Sequence, residues 1–184
     1  MGDDDFQTID EIASHVGPEG SVAAAREWLE RISVDDLHGV WTRTDPNLRL
    51  VFAQAFLWAN RTHPSVVGLD LDETAEALAS LRFDHDLWPS FGATQLGEFH
   101  SVFDDFFSGG YGVASRPRPV GVDLEIVKFV KSDSDEMTWV TEPTLVEAHI
   151  FLLRWTRDGW MVAGQGVDSP PEPGWPPTPG HPTM

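Results

Sequence analysis

Residues 82–91 read RFDHDLWPSF, with His85 held between Asp84 and Asp86 and a Trp-Pro corner just behind. Acid, imidazole and acid in a row raise three chemistries: a metal chelate, a proton-handling group or a local turn. Side-chain direction argues against the chelate. In an extended segment both aspartates point one way and His85 the other; in a helix consecutive side chains fan out over about 200°. The spacing of His38, His63, His100 and His149 completes no ligand template, so no metal is expected. Two readings of His85 stand. It is hydrogen bonded locally in a turn that one Asp caps, or it sits at a pocket mouth with Trp88 and Phe91 as walls and one Asp orienting the ring.

A second constellation lies on a strand expected over 144–156. Alternation places Leu145, Glu147, His149, Phe151, Leu153 and Trp155 on one face, with Val146, Ala148, Ile150, Leu152 and Arg154 on the other. The Cβ atoms of Glu147 and His149 are then roughly 6–7 Å apart. Amid Phe and Trp, such a pair is a candidate general base with an orienting partner, because desolvation moves carboxyl and imidazole toward each other in proton affinity. The alternative is two strand-edge polar residues, merely paired, beside a bend at Pro143. Tyr111 follows Gly109-Gly110; its hydroxyl is a candidate donor to a substrate oxygen or a packed loop residue. GGYG lacks the Lys and the strand-to-helix context of a nucleotide loop, and no nucleophile elbow is present.

The rest of the composition narrows the chemistry. The 184 residues carry 30 acidic and 12 basic side chains, a formal charge of −18, and such a field repels phosphate backbones. There is no cysteine, which removes disulfides, thiolate metal sites and Cys nucleophiles. No apolar run approaches the roughly 20 residues of a membrane helix, and MGDDDFQ has no basic or apolar leader region, so a cytoplasmic protein is expected. Eight Trp must fill core or pocket volume, each with a partner for its N–H.

The elements that must position these residues change period half-way. Residues 1–20 read as an acidic arm and 169–184 as a Pro/Gly-rich tail in polyproline or disordered form, with Trp175 able to clip it to the body; 21–168 is one domain. Ser21 is expected to cap a helix near 22–32, and Ser33 with Asp36 to start a second. Asp45 and Pro46 open a helix over 46–60 whose stripe of Leu48, Phe52, Ala55, Phe56 and Ala59, widened by Val51 and Trp58, predicts burial nearly all round. Further helices fall near 73–81 and along Phe99, Val102, Phe103 and Phe106. Then come β-branched and aromatic runs at 122–130, 137–156 and 159–167. Asp158-Gly159 predicts a two-residue type I′ turn that sets Arg157 opposite Trp160, Trp155 opposite Val162 and Leu153 opposite Gly164.

Helices first, an Asp-Pro-opened aromatic helix, and a closing hairpin FLLRWTRDGWMVAGQG resemble the nuclear-transport-factor-2-like superfamily, also called cystatin-like α+β or polyketide-cyclase-like. The likeness covers roughly 21–167. It implies an α+β fold with the helices in the concave face of a strongly curved antiparallel sheet. The resulting cone has an apolar cavity and often dimerises through the sheet. Members include isomerases, dehydratases, hydrolases, cyclases and non-catalytic binding modules. Two functions follow. One is a small-molecule-binding or cofactor-free lyase/isomerase-type protein, with His85, Glu147, His149 and Tyr111 as proton-handling candidates. Trp88, Phe91, Phe56, Phe103, Phe151 and Trp155 would line its apolar ligand. The other is a non-catalytic homodimeric interaction domain of the same fold.

Overall fold

The structure is a computed structural model and describes residues 20–108, 111–113, 116–131, 148–178 and 180. Among them, five helices precede an antiparallel sheet, an α+β arrangement. No described helix is long and apolar enough to cross a membrane.

Helix α1, Ser21–Ser33, buries Val22, Ala25, Trp28, Leu29 and Ile32, the stripe expected from their spacing. Its N-cap is Gly20 rather than Ser21, whose hydroxyl instead donates to Glu125 Oε2 at 2.7 Å. A buried carboxylate has more need of a donor than a helix end that water can reach. Ser33 closes α1, and Asp35 turns the chain at φ 57. Helix α2, Leu37–Thr42, therefore begins later than the expected box at Ser33, with Asp36 as the cap accepting from the Gly39 N–H.

Helix α3, Pro46–Ala59, opens as expected: Asp45 accepts from the Asn47 N–H and Pro46 takes the first turn. Its all-round burial does not hold. Ala55, Trp58 and Ala59 are exposed, and the Arg61 guanidinium lies over the Trp58 ring at 4.6 Å. Helix α4, Leu71–Ala79, is capped by Asp70, which accepts from the Asp72 and Glu73 N–H groups. Helix α5, Trp88–Ser108, runs 21 residues, far longer than the Phe99–Phe106 segment its periodicity marks. Pro89 and Gly92 mask its first half, but proline costs nothing in a first turn. At Gly92 a Cβ would stand 2.8 Å from Leu37 Cδ2, so the missing side chain lets α2 approach.

The sheet contains β1 (Tyr111–Val113), β2 (Arg118–Pro119), β3 (Leu124–Lys131), β4 (Ala148–Thr156) and β5 (Gly159–Gln165), in the order β1-β3-β4-β5 with β2 also on β3. Alternation along β4 holds. Phe151 and Leu153 join Val127, Phe129 and Val162 against the helices, while Leu152 packs with Ile126 and Ala163 on the outer face. Those three outer residues are buried, and Leu124 and Ile150 pack beside them partly exposed.

The hairpin pairing differs from expectation by two residues near the turn: Trp155 pairs with Trp160, Thr156 with Gly159, and Leu153 with Val162, followed by an irregularity at Leu152/Leu153. A type I′ turn needs positive φ at both central residues. Here Gly159 has φ 98 and Asp158 does not share it, so Arg157 and Asp158 form the loop and Gly159 begins β5. The Thr156 hydroxyl fastens this turn, accepting from the Asp158 N–H and donating to the Gly159 carbonyl.

The Pro/Gly-rich segment is not a plain tail. Glu172 and Thr178 exchange two backbone hydrogen bonds, Gly174 N–H donates to Gln54 Oε1, and the Trp175 indole donates to Asp72 Oδ1 at 2.7 Å. Polyproline stretches have no internal bonds; side chains on α3 and α4 supply acceptors that local composition does not reveal.

The interior is an aromatic lattice around Trp28, which contacts Phe99, Phe103 and Phe151 edge-on at centroid distances of 5.0, 5.8 and 5.9 Å. Its indole donates to Thr44 Oγ1, and Thr44 bridges to Val162 of β5, tying α1 and the α2–α3 junction to the sheet. Next to it, Asp45, 2% exposed, caps α3 and accepts from Arg154 of β4 at 2.9 Å. Asp45→Ala leaves that guanidinium with only its longer 3.6 Å ion pair to Asp123, and the helix uncapped. Urea denaturation is expected to show a loss of about 3–5 kcal/mol, the usual result of breaking a buried pair from one side.

Candidate functional site

The residues marked by sequence do not converge. His85 and Trp88 lie where α5 begins, whereas His149 meets Asp105 in its last turn. At 1.5 Å per residue these places are roughly 25 Å apart.

At the first end, His85 Nδ1 accepts from the Leu87 N–H at 3.1 Å and its carbonyl from the Trp88 N–H, the local-turn reading. Asp84 and Asp86 are exposed, and no three His, Asp or Glu side chains gather as a metal site among the described residues. The Trp88 indole donates to His38 Nε2 at 3.3 Å, and His38 stacks on Phe83 with 4.0 Å between centroids. Phe91 is fully buried, enclosed edge-on by Trp41 and Phe56 and packed against Trp88.

At the other end, His149 Nε2 lies 3.2 Å from Asp105 Oδ1, beside the Phe103 and Phe106 rings; the imidazole is 15% exposed and the carboxylate 42%. Asp105 sits in the run FDDFF and escaped the sequence reading, since only the tertiary fold brings α5 across β4. Phe103 and Phe151 stack in the filled interior beneath Trp28. Glu147 lies outside the described residues. Tyr111 pairs with Lys131 through the backbone of β1, and its side chain is likewise outside the description.

Trp155 leads to a different place. It is 48% exposed and edge-on to Trp160 at 5.4 Å, and both border an open cleft of about 460 Å³. The cleft lies between α1, the end of α2 and the β4–β5 turn, with Glu27, Arg43, Arg157 and Asp158 as its charged lining. Arg43 is held there by its backbone, whose carbonyl accepts from the Val162 N–H. Glu27 faces the cleft because it precedes Trp28 on α1: burying one turns its neighbour outward.

Glu27 is clamped. Oε1 accepts from Arg31 Nε at 3.1 Å and Nη2 at 2.7 Å, while Oε2 lies 2.9 Å from Arg43 Nε. Arg31 also donates to Asp36 Oδ2 at 2.7 Å. Burial pushes the Glu27 carboxyl up, but hydrogen bonding and charge from Arg31 and Arg43 outweigh it and hold the group below the usual glutamate value. The Gly39 N–H holds Asp36 low, aided by Arg31 against burial. At Gly39 a Cβ would meet the Asp36 carboxylate and the Arg31 guanidinium, so a side chain there would displace that pair. The i, i+4 spacing of Glu27 and Arg31 was readable in the sequence; the part played by Arg43 was not.

Against protein-family models, curated proteins and solved structures, the chain finds no match.

Glu27 and Asp36 are both depressed in the folded chain, so their ionised forms stabilise it above the ordinary carboxylate range. That contribution disappears as pH falls from roughly 4 through the lower folded values. In an acid titration followed by tryptophan fluorescence, Arg31→Met is expected to unfold at higher pH than the parent chain. Coincident midpoints would show that the clamp does not stabilise the fold.

Proposed function

We propose that the chain is a small-molecule-binding protein whose ligand enters the cleft between Trp155, Trp160, Glu27 and Arg43. The observation that carries this reading is a half-exposed indole, Trp155, beside fixed charges on a concave surface. The apolar interior expected to take a ligand holds the buried rings of Phe91, Phe103 and Phe151. Binding sites combine an aromatic wall with a few placed polar groups in volumes of about 300–1,000 Å³, and the cleft matches that description.

The nuclear-transport-factor-2-like fold, with its strongly curved sheet, belongs to the same proposal. Its support is the order of elements, helices before antiparallel strands that end in a Trp-bearing hairpin.

The test is a fragment screen by ligand-observed NMR with Trp155→Ala as the comparison. Exposed as it is, the residue should be removable with a stability change of about 0.5 kcal/mol or less. Ring-bearing fragments are expected to lose about 1 kcal/mol, several-fold in Kd. Hits that bind the variant equally well would refute the assignment.

A second reading has its own observation. The Asp105–His149 contact beside Phe103 and Phe106 is a carboxylate-oriented imidazole, suited to abstracting a proton from carbon without a cofactor. Exchange of the α-protons of cyclic ketones into deuterium oxide tests it. The parent chain should accelerate exchange, and His149→Ala should reduce it by about 100-fold or more. Equal rates for parent and variant would eliminate this reading.

A further inference from the structure

We infer that the cleft takes a cyclic monocarboxylate, a ring stacked on Trp155 with its carboxylate on Arg43; the inference rests on the cleft being the binding site. The argument begins with which polar atoms are already used. Both Glu27 oxygens are engaged, Oε1 by two Arg31 nitrogens and Oε2 by Arg43 Nε. Glu27 therefore works as a clamp and has little acceptor capacity left for a ligand.

Arg43 is in the opposite condition. Its ion pair with Glu27 engages Nε, and among the described residues Nη1 and Nη2 make no hydrogen bond. A guanidinium whose Nε is fixed and whose terminal nitrogens are open is a preorganised donor fork, and a carboxylate is the acceptor that matches it. Arg157, exposed on the hairpin turn, adds a second cation to the lining.

Two features set the ligand's other properties. Trp155 and Trp160 meet at an interplanar angle of 64°, so they form a corner rather than a sandwich, and a ring lying on one face abuts the edge of the other. Asp158 also lines the cleft, and with Glu27 it balances Arg43 and Arg157. One ligand charge at the fork is therefore accommodated, whereas a dianion would meet both Asp158 and a chain of net charge −18. The overall field is screened beyond about 8 Å at physiological salt, so contact with the fork decides the preference at close range.

The experiment is calorimetric titration of the full chain with 2-naphthoate and with its methyl ester, which keeps the ring and removes the charge. The acid is expected to bind at least about tenfold more tightly than the ester. Arg43→Gln should erase that difference, and Trp155→Ala should weaken both compounds together. Arg157→Gln, which removes no hydrogen bond or ion pair among the described residues, reports on charge and should reduce the preference less than Arg43→Gln. Equal binding of acid and ester to the parent chain would overturn the inference even if Arg43→Gln fails to fold. In that outcome a loss of both in Trp155→Ala would leave the cleft itself standing as the binding site. Failure of both compounds to bind the parent chain would overturn the inference together with the cleft assignment.

Discussion

The arrangement depends on Trp28. A single indole, wholly buried, touches α5 through Phe99 and Phe103, β4 through Phe151, and the α2–α3 junction through Thr44. Large aromatic side chains carry much of a core's burial energy, and edge-to-face contacts add direction to it. With that ring in place, helix α1 has one allowed rotation. Glu27 must then turn toward the hairpin, Arg31 lies one turn further along, and the sheet is drawn onto the helices through Thr44 and Val162.

The same packing governs where a ligand has room. Phe91, Phe103 and Phe151, the side chains expected to line an interior cavity, are buried against other rings. In the proposed function, recognition lies at the margin, where the hairpin projects Trp155 and Trp160 into the cleft. Glu27 and Arg43 are held there by each other and by Arg31, so binding need not order them first.

Much of this architecture was legible in the sequence, for reasons that are local. Asp45-Pro46 announces α3 through capping chemistry, the stripe of Val22, Ala25, Trp28, Leu29 and Ile32 announces α1, and alternation assigns His149, Phe151 and Leu153 to one face of β4. What stayed hidden depends on contacts between distant positions. The first half of α5 carries Pro89 and Gly92, whose effect on a helix cannot be judged without knowing that Leu37 packs against it. The hairpin register turned on one glycine φ angle. His85, between its two aspartates, and His149, paired with Glu147, were candidates for one chemistry, and only the length of α5 shows that they lie at different ends of the fold. The partners of His149 and Trp175, Asp105 and Asp72, lie in acidic runs that read as solvated surface.

The central claim is that ligand binds at the hairpin margin and leaves the aromatic interior closed. Indole N–H resonances of the full chain, assigned and followed through titration with a ring-bearing ligand, test it directly. The account predicts that the Trp155 and Trp160 signals shift, with those of Trp28, Trp41 and Trp88 unmoved. Saturable shifts at Trp28 and Trp88, with Trp155 and Trp160 silent, would place the ligand in the core and contradict it.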